Sequence, residues 1–230
     1  MNYSTEKIVI FGTNDFAEVL YESIKLNREK IDQEVIGFVI DDEYFSQETF
    51  CNQDVYKYSE LKQKFSAYDI KILVAIGYSN MNQNRKAIFK KLLQDGWEIA
   101  SYIDPCSILR TDEQNLGYGN IVLESVNIGV GCKLGNGNIF FPGSQLAHHS
   151  TVGNFNFFAV RSSVAGHVTI GDECFFGNNC CTKDNISIKD QTLIGAGCYL
   201  DSDANARGGV YVPMKSVKLQ KKSTEMKLKR

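Results

Sequence analysis

Apolar side chains recur at every sixth position between residues 122 and 200 of this chain. Thirteen of the fourteen residues in this register are apolar, and nine of the fourteen residues that follow them are Gly or Ala. A fixed short period is typical of solenoids, and a period of six is typical of a parallel β-helix. We therefore predict a three-sided coil in which residues eighteen positions apart lie on adjacent rungs.

The register predicts three interior stacks, one for each side of the coil. The first side stacks Val122, Phe140, Phe158, Phe176 and Ile194, the second Ile128, Leu146, Val164, Thr182 and Leu200, and the third Leu134, Val152, Ile170 and Ile188. Asn120, Asn138 and Asn156 also recur every eighteen residues. This column predicts an amide ladder that satisfies its own polar groups.

Cysteine usage follows the same register. Four of the seven cysteines fall in an inward column of small residues, where we expect them to behave as small hydrophobic side chains: Cys132, Cys174, Cys180 and Cys198. The odd count and the absence of a C-x-x-C motif argue against a disulfide framework. We therefore expect a reduced, cytoplasmic protein.

The residues before position 105 follow a different pattern. Four apolar runs alternate with two amphipathic segments, and this alternation predicts an α/β domain with a small, Rossmann-like parallel sheet. The predicted strands are residues 7–12, 34–40, 70–77 and 97–103, and the predicted helices are residues 15–27 and 80–96. The domains are therefore predicted as residues 1–105, a β-helix over 106–214, and a basic tail over 215–230.

Ligands of parallel sheets bind beyond the carboxyl ends of the strands. Three such ends carry candidate substrate contacts: Gly12, Thr13 and Asn14 after the first strand, Asp41 and Asp42 after the second, and Gly77 after the third. The first end has one glycine of a dinucleotide-binding turn but lacks the later ones, so nucleotide binding and a structural turn both remain open.

Composition excludes some classes of function. The formal net charge is −2, which does not favour nucleic-acid binding. No apolar run approaches the ~18 residues of a membrane span, so we expect no integral membrane segment.

All three histidines of the chain lie within the predicted coil. His149 and His167 are eighteen residues apart, and His148 has the same relation to Gly166. This clustering favours a catalytic corner over isolated surface residues. A metal site is the competing hypothesis, but adjacent His148 and His149 are expected to point in different directions, so we predict none.

The chain resembles the two-domain hexapeptide acyltransferases. The resemblance is carried by the hexapeptide register, by the segment AHHSTVGNFNFFAVRSSVAGHVTIGDECFFGNNC over residues 147–180, and by KIVIFGTNDFAE and VIGFVIDD in the front domain. This family includes N-acetyltransferases that act on nucleotide-linked amino sugars and sialic acid O-acetyltransferases. The resemblance implies a left-handed β-helix, a homotrimer, and acetyl-CoA bound in a groove between neighbouring coils.

Residue roles also follow from the resemblance. It implies that His148 is the general base and that the Gly166 N–H binds the thioester oxygen. It implies nucleotide contacts for Gly12, Thr13, Asn14, Asp41 and Asp42, and the strand ends alone place Gly77 beside them. We further expect His149 to assist catalysis, His167 to contact the substrate, and Gly177 and Gly195 to contact acetyl-CoA.

One departure from the family pattern concerns the residue after the base. A carboxylate usually follows the catalytic histidine, whereas this chain has His149. The sequence predicts an acetyl-CoA-dependent N-acetyltransferase for a nucleotide-linked amino-deoxy sugar of bacterial glycan biosynthesis, with acetyl-CoA as co-substrate and no metal. O-acetylation of a sugar, a non-catalytic nucleotide-sensing solenoid and a metal-dependent hydratase are the alternatives.

Overall fold

The structure, a computed structural model, describes residues 5–213 of the 230-residue chain. The predicted basic tail over residues 215–230 lies outside the described residues. Among those described, no helix is both long and apolar enough to cross a membrane. The seven cysteines all have free thiols.

The front domain is a mixed five-stranded sheet with helices, which confirms the Rossmann-like prediction. Its strands are β1 (Glu6–Phe11), β2 (Gln33–Ile40), β3 (Thr49–Phe50), β4 (Gln53–Lys57) and β5 (Lys71–Val74). Its helices are α1 (Asp15–Leu26), α2 (Leu61–Lys64) and α3 (Gln83–Gln94), with short 3-10 helices at Asp42–Tyr44 and Tyr58–Glu60. The strand order is β3-β4-β2-β1-β5, and only β3 and β4 pair antiparallel.

The predicted fourth strand over residues 97–103 is wrong. Only Ile99 bridges to Ile72 of the front sheet, and the fourth parallel strand is β4, beside β2. Strand β6 (Tyr102–Ile103) pairs with the coil instead. The apolar run over residues 97–103 can pair with the front sheet or with the coil. The pattern alone therefore did not show that Ile99 joins the first and Tyr102–Ile103 the second. The boundary at residue 105 stays a prediction, although coil pairing begins at Tyr102.

Residues beyond β6 form a left-handed parallel β-helix of two-residue strands, as predicted. The first side contains β6, β8 (Ile121–Val122), β11 (Ile139–Phe140), β14 (Phe157–Phe158), β17 (Phe175–Phe176), β20 (Leu193–Ile194) and β22 (Val210–Tyr211). The second contains β7 (Ile108–Leu109), β9 (Asn127–Ile128), β12 (Gln145–Leu146), β15 (Ser163–Val164), β18 (Cys181–Thr182) and β21 (Tyr199–Leu200). The third contains β10 (Lys133–Leu134), β13 (Thr151–Val152), β16 (Thr169–Ile170) and β19 (Ser187–Ile188). A 3-10 helix, Glu113–Asn115, precedes β8.

The interior stacks form as the register predicts. Phe158 is fully buried, with ring centroids 4.3 Å from Phe140 and 4.5 Å from Phe176. The asparagine ladder also forms. The main-chain N–H of Asn138 donates to Asn120 Oδ1 at 2.8 Å, and the main-chain N–H of Asn156 donates to Asn138 Oδ1 at 2.9 Å. Stacking of identical groups thus satisfies both the apolar and the polar parts of the interior.

The turns of the coil lie three residues after each inward position. Residues there adopt a left-handed backbone, and several are not glycine, including His149 (φ 59) and His167 (φ 57). Such a conformation is costly for most side chains and persists where surrounding contacts fix it. The small residues directly after the inward positions serve a different need. A Cβ at Gly153 would lie 2.3 Å from Asp172 Oδ1, so rung-to-rung crowding requires glycine there.

The front domain covers the outer face of the first side. Ile121, Ile139 and Phe157 of that face share one apolar cluster with Leu20 and Ile24 of α1. The apolar outer residues of the first side are therefore covered by the chain itself. Outward residues of the third side are exposed and polar, as in Lys133 and Thr151.

Arg85 of α3 joins the two domains and is fully buried. Its guanidinium donates to Gly137 O at 3.0 Å and Phe155 O at 2.9 Å in the coil, and to Gly77 O at 2.8 Å in the front domain. It also donates to Ile76 O. Burial lowers the pKa of Arg85 to about 9, so the group remains charged near neutral pH.

Candidate active site

A cleft of about 500 Å³ opens at the carboxyl ends of β1, β2 and β5. This volume falls within the range of small-molecule sites. Five of the predicted substrate contacts line it together: Gly12, Thr13, Asn14, Asp41 and Gly77. We call it the front cleft. It lies where ligands of parallel sheets bind, because the loops after neighbouring strands meet at one edge.

One end of the front cleft is formed by the start of α1. Asn14 caps this helix, accepting from the Ala17 amide at 3.0 Å and donating to Ala75 O at 3.1 Å. Gly12 has φ 125, and a Cβ there would lie 3.1 Å from Ala75 O. Since the Asn14 side chain is engaged, main-chain amides and the Thr13 hydroxyl are the groups left to face an anion.

The other end of the front cleft carries a paired acid. The Asp41 carboxylate forms a short ion pair with Lys91, whose ammonium lies 3.8 Å from the ring centroid of Tyr58. The pair is partly exposed, and Asp41 is the member that lines the cleft. Its carboxylate offers hydrogen-bond acceptors to a ligand there.

Asp42 does not line the front cleft, contrary to its predicted place beside Asp41. Its carboxylate accepts from the Ser59 amide at 3.0 Å and the Ser59 hydroxyl at 2.5 Å. These hydrogen bonds hold the pKa of Asp42 below its usual range. Because adjacent side chains diverge at the start of the Asp42–Tyr44 helix, one acid faces the cleft and the other anchors a loop.

A second cleft, of about 520 Å³, adjoins the front cleft and shares Asn14, Gly77 and Ser79 with it. We call it the aromatic cleft, because Phe16, Tyr78 and Phe141 line it. Sequence reasoning missed these residues. For Phe141 the available signal was the eighteen-residue repeat of the first side, whereas Phe16 and Tyr78 lie in the front domain, outside that repeat.

The three histidines meet at the edge between the second and third sides of the coil. His148 and His149 follow β12, and His167 follows β15 one rung further on. His148 Nδ1 lies 3.1 Å from His149 Nδ1. The rings of His149 and His167 stack with centroids 5.1 Å apart and an interplanar angle of 5°. All three side chains are exposed.

His148 rests directly on the backbone of Gly166, as the register predicts. A Cβ at Gly166 would lie 2.7 Å from His148 Cε1 and 2.9 Å from Nε2, so only glycine permits this contact. Within residues 5–213 the Gly166 N–H donates no hydrogen bond. The His148 ring therefore lies beside a residue whose main-chain amide is unengaged.

A shallow cleft of about 390 Å³ borders His148 on the outer face of the second side. Its polar lining comes from Arg110, Asn127, Gln145 and Ser163. Backbone at Gly129 and Ala165 completes it near the imidazole. We call it the coil groove.

Comparison with known proteins identifies both parts of the chain. Residues 7–92 match the family model of the PglD N-terminal domain, and residues 167–202 match the hexapeptide repeat of succinyl-transferase. The first match lies within the front domain and the second within the coil. No curated protein matches it.

Several solved structures share this two-domain fold. The acetyltransferase domain of PglB from Neisseria gonorrhoeae has a TM-score of 0.77 at 19% identity, over 90% of this chain and 97% of that chain. A variant of GDP-perosamine N-acetyl transferase from Caulobacter crescentus, in complex with CoA and GDP-perosamine, has a TM-score of 0.77 at 22% identity, over 90% and 93%. WeeI from Acinetobacter baumannii has a TM-score of 0.75 at 17% identity, over 90% and 94%. The predicted resemblance is confirmed for the fold.

The hexapeptide coil separates the two predicted acetyl-CoA glycines from the histidines. Gly177 and Gly195 follow β17 and β20, so they lie on the edge between the first and second sides. A Cβ at Gly177 would lie 2.5 Å from the Ala196 amide, which explains that glycine by crowding alone. A contact of either glycine with acetyl-CoA stays a prediction.

The front domain and the histidines also lie on different parts of the coil. The domain covers the first side, whereas the histidines occupy the edge between the other two sides. In a three-sided prism this edge is opposite the first side. The front cleft and the histidines of one chain are therefore not neighbours.

Proposed function

We propose that this protein is an acetyl-CoA-dependent N-acetyltransferase that acts on a nucleotide-linked amino-deoxy sugar in bacterial glycan biosynthesis. The observation that carries the proposal is the contact of His148 with Gly166 beside the coil groove. It supplies the two groups that acyl transfer to an amine requires, a base and an oxyanion donor. The proposal places the protein in the cytoplasm, where acetyl-CoA is available.

The base acts on the acceptor amine. An amine near neutral pH is largely protonated, so the ammonium group first releases one proton to solvent and becomes a neutral nucleophile. As the nitrogen attacks the thioester carbon, His148 takes a second proton from it, and the Gly166 N–H stabilises the oxyanion that develops. The C–S bond then breaks, and the CoA thiolate recovers the proton from His148. No covalent enzyme intermediate is needed.

His149 takes the orienting role that a carboxylate has in relatives. In one tautomer, His148 donates its Nδ1–H to His149 Nδ1 across 3.1 Å. This leaves His148 Nε2 as the proton acceptor, next to Gly166. A neutral imidazole stabilises an imidazolium less than a carboxylate does, so the assistance is weaker than in a His–carboxylate pair. His167, stacked on His149, is the proposed acceptor-facing member of the group.

The front cleft is the proposed nucleotide site. The start of α1 favours the diphosphate through its N–H groups and helix dipole. Asp41 accepts a hydrogen bond from the nucleobase. Gly77 forms the wall that leads to the aromatic cleft. Aromatic faces in that cleft suit the apolar face of a deoxy sugar.

The proposed assembly is a homotrimer, in which the histidines of one chain meet the front cleft of a neighbour. Its support is the opposite placement of these two sites within one chain. Acetyl-CoA would lie in the coil groove between neighbouring coils, with Gly177 and Gly195 among its contacts. Sedimentation at micromolar concentration should give about three times the 25.8 kDa chain mass. A pure monomer would count against the shared site.

The central test is acetyl transfer itself. The protein is incubated with acetyl-CoA and a panel of nucleotide-linked amino sugars, with matched hydroxyl sugars as controls, and thiol release is followed. We expect turnover with an amino sugar and an acetylated product that resists alkaline hydroxylamine, since amides survive it and esters do not. A hydroxylamine-labile product would favour O-acetylation, and no thiol release with any acceptor would favour a non-catalytic, nucleotide-binding role.

A further inference from the structure

The three histidines converge more closely than their order in the sequence suggests. Ring nitrogens of His148, His149 and His167 all lie within 4.8 Å of one another. The expectation that adjacent His148 and His149 point apart is wrong. His149 has a left-handed backbone (φ 59), which turns its ring toward that of His148 and brings the Nδ1 atoms to 3.1 Å.

Main-chain hydrogen bonds of the coil hold the three positions in place. The His149 amide donates to Val130 O at 2.8 Å, and the His167 amide donates to His148 O at 3.0 Å. Gly166 supports the His148 ring from the next rung. Ligands carried by a rigid scaffold need little reorganisation to bind an ion.

The donor set identifies the class of ion. Two ligand nitrogens about 2.0–2.1 Å from a tetrahedral ion lie about 3.3 Å apart, so small ring rotations would bring these three nitrogens onto one ion. Imidazole suits Zn²⁺, Ni²⁺, Cu²⁺ and Co²⁺, whereas Mg²⁺ and Ca²⁺ require oxygen ligands. Three protein ligands leave the fourth position open to water.

We propose that His148, His149 and His167 bind one divalent transition-metal ion per chain, and that the bound ion blocks acetyl transfer. A neutral imidazole that binds an ion through one ring nitrogen carries its proton on the other, so His148 keeps no free lone pair, and metal-bound and catalytic states exclude each other. The metal site itself stands on geometry alone. Only the inhibition rests on the proposed function.

The test uses untagged, full-length protein freed of metal with a chelator. Zn²⁺ binding is measured by calorimetry, and Co²⁺ binding by its visible absorption, which reports tetrahedral coordination. We expect one ion per chain with micromolar or tighter affinity, and no Mg²⁺ binding. The test variants are His149→Asn and His167→Asn, because asparagine tolerates the left-handed backbone and already occupies the equivalent position at Asn185 (φ 58).

Loss of a group that only hydrogen-bonds to a metal ligand lowers metal affinity by roughly 10–100-fold. Each variant removes a ligand itself, so it should weaken Zn²⁺ binding by at least as much. The control is Cys106→Ser combined with Cys181→Ser, which removes the one exposed thiol and one of the two half-buried thiols and should retain full Zn²⁺ affinity. Unchanged Zn²⁺ affinity in both histidine variants, or loss of binding in the cysteine control, would overturn the site.

The inhibitory half is tested separately with thiol release in the presence and absence of Zn²⁺ and chelator. Zn²⁺ should abolish turnover at the concentration that saturates the binding signal, and chelator should restore it. Full turnover with the site saturated would overturn the inhibition and leave the metal site standing. Tight binding by a protein that never acetylates an amino sugar would instead refute the proposed function.

Discussion

The coil and the front domain are both built from parallel strands, yet they position functional groups in different ways. In the coil, two-residue strands repeat every eighteen residues, and each turn is fixed by hydrogen bonds to the rungs beside it. In the front domain, longer strands form the sheet, and the cleft is made by loops that follow β1, β2 and β5. The coil holds its histidines by repetition, whereas the front cleft depends on individual contacts.

This difference separates the two tasks of the proposed enzyme. A base must stay within a few tenths of an ångström of its working position, and a rigid turn beside Gly166 provides that. A nucleotide site must match one ligand among several similar ones, and loops can be changed without disturbing the sheet. Arg85 joins the two, since its guanidinium contacts both the wall of the front cleft and the coil.

The largest expected effect comes from breaking the repetition itself. Phe158→Asp places a carboxylate between two stacked rings and removes a buried aromatic side chain, so the cost should exceed the about 3–5 kcal/mol of a Phe→Ala change. Circular dichroism during heating should show loss of the cooperative coil transition. Thr169→Asp, on the exposed outer face of the third side, is the matched control and should shift stability by no more than about 0.5 kcal/mol. An unchanged melting temperature for Phe158→Asp would mean that the interior register is wrong.

A smaller, interface-specific effect is expected for Arg85→Met. This change leaves buried carbonyl groups in both domains without their donor, and each buried acceptor left unsatisfied costs about 1–3 kcal/mol. Calorimetry should resolve separate transitions for the front domain and the coil. Arg85→Lys should destabilise the protein less than Arg85→Met does, but it should not match the unaltered protein, because three ammonium donors cannot replace the planar guanidinium. Lys90→Met, at an exposed position of the same helix, should leave a single transition, and a single transition in Arg85→Met would show that the domains are joined by other contacts.

The histidines should show a graded loss of activity with the fold intact. His148→Ala should lower turnover by about 10²–10⁴, the usual contribution of a general base, with little change in substrate affinity. His149→Asn should cost less, because it only orients the base, and His167→Asn should cost least. These assays are run with a chelator, because a metal ion bound by the same histidines would itself lower turnover. A nearly active His148→Ala together with an inactive His149→Asn would identify the other imidazole as the base.

The smallest expected effect distinguishes the two adjacent acids of the front domain. Asp41→Asn should weaken nucleotide-sugar binding about tenfold or more, equivalent to about 1.4 kcal/mol, and leave acetyl-CoA binding unchanged. Asp42→Asn should alter nucleotide binding less, since its carboxylate is engaged by Ser59. Calorimetric titration of both variants measures the difference. Equal weakening by both would return Asp42 to the binding site.

The sequence by itself determined the coil in detail. A period of six fixes which residue of each rung faces inward, so the phenylalanine stack, the asparagine ladder and the inward cysteines could be predicted individually. It also determined that His148 would lie over Gly166, because residues eighteen apart must be neighbours in such a coil. In the front domain it determined the strand ends that line the cleft, since parallel strands end at a common edge.

Tertiary structure decided the features that depend on contacts between segments with no fixed relation. Asp42 turns toward Ser59, 17 residues away, and Arg85 reaches Gly137, 52 residues away. Neither contact leaves a periodic signal. The convergence of His148 and His149 also required the structure, because two adjacent side chains face one another only when the backbone between them takes the left-handed form, as it does at φ 59. Repetition makes neighbours predictable from sequence, whereas a loop acquires its neighbours only when the whole chain has packed.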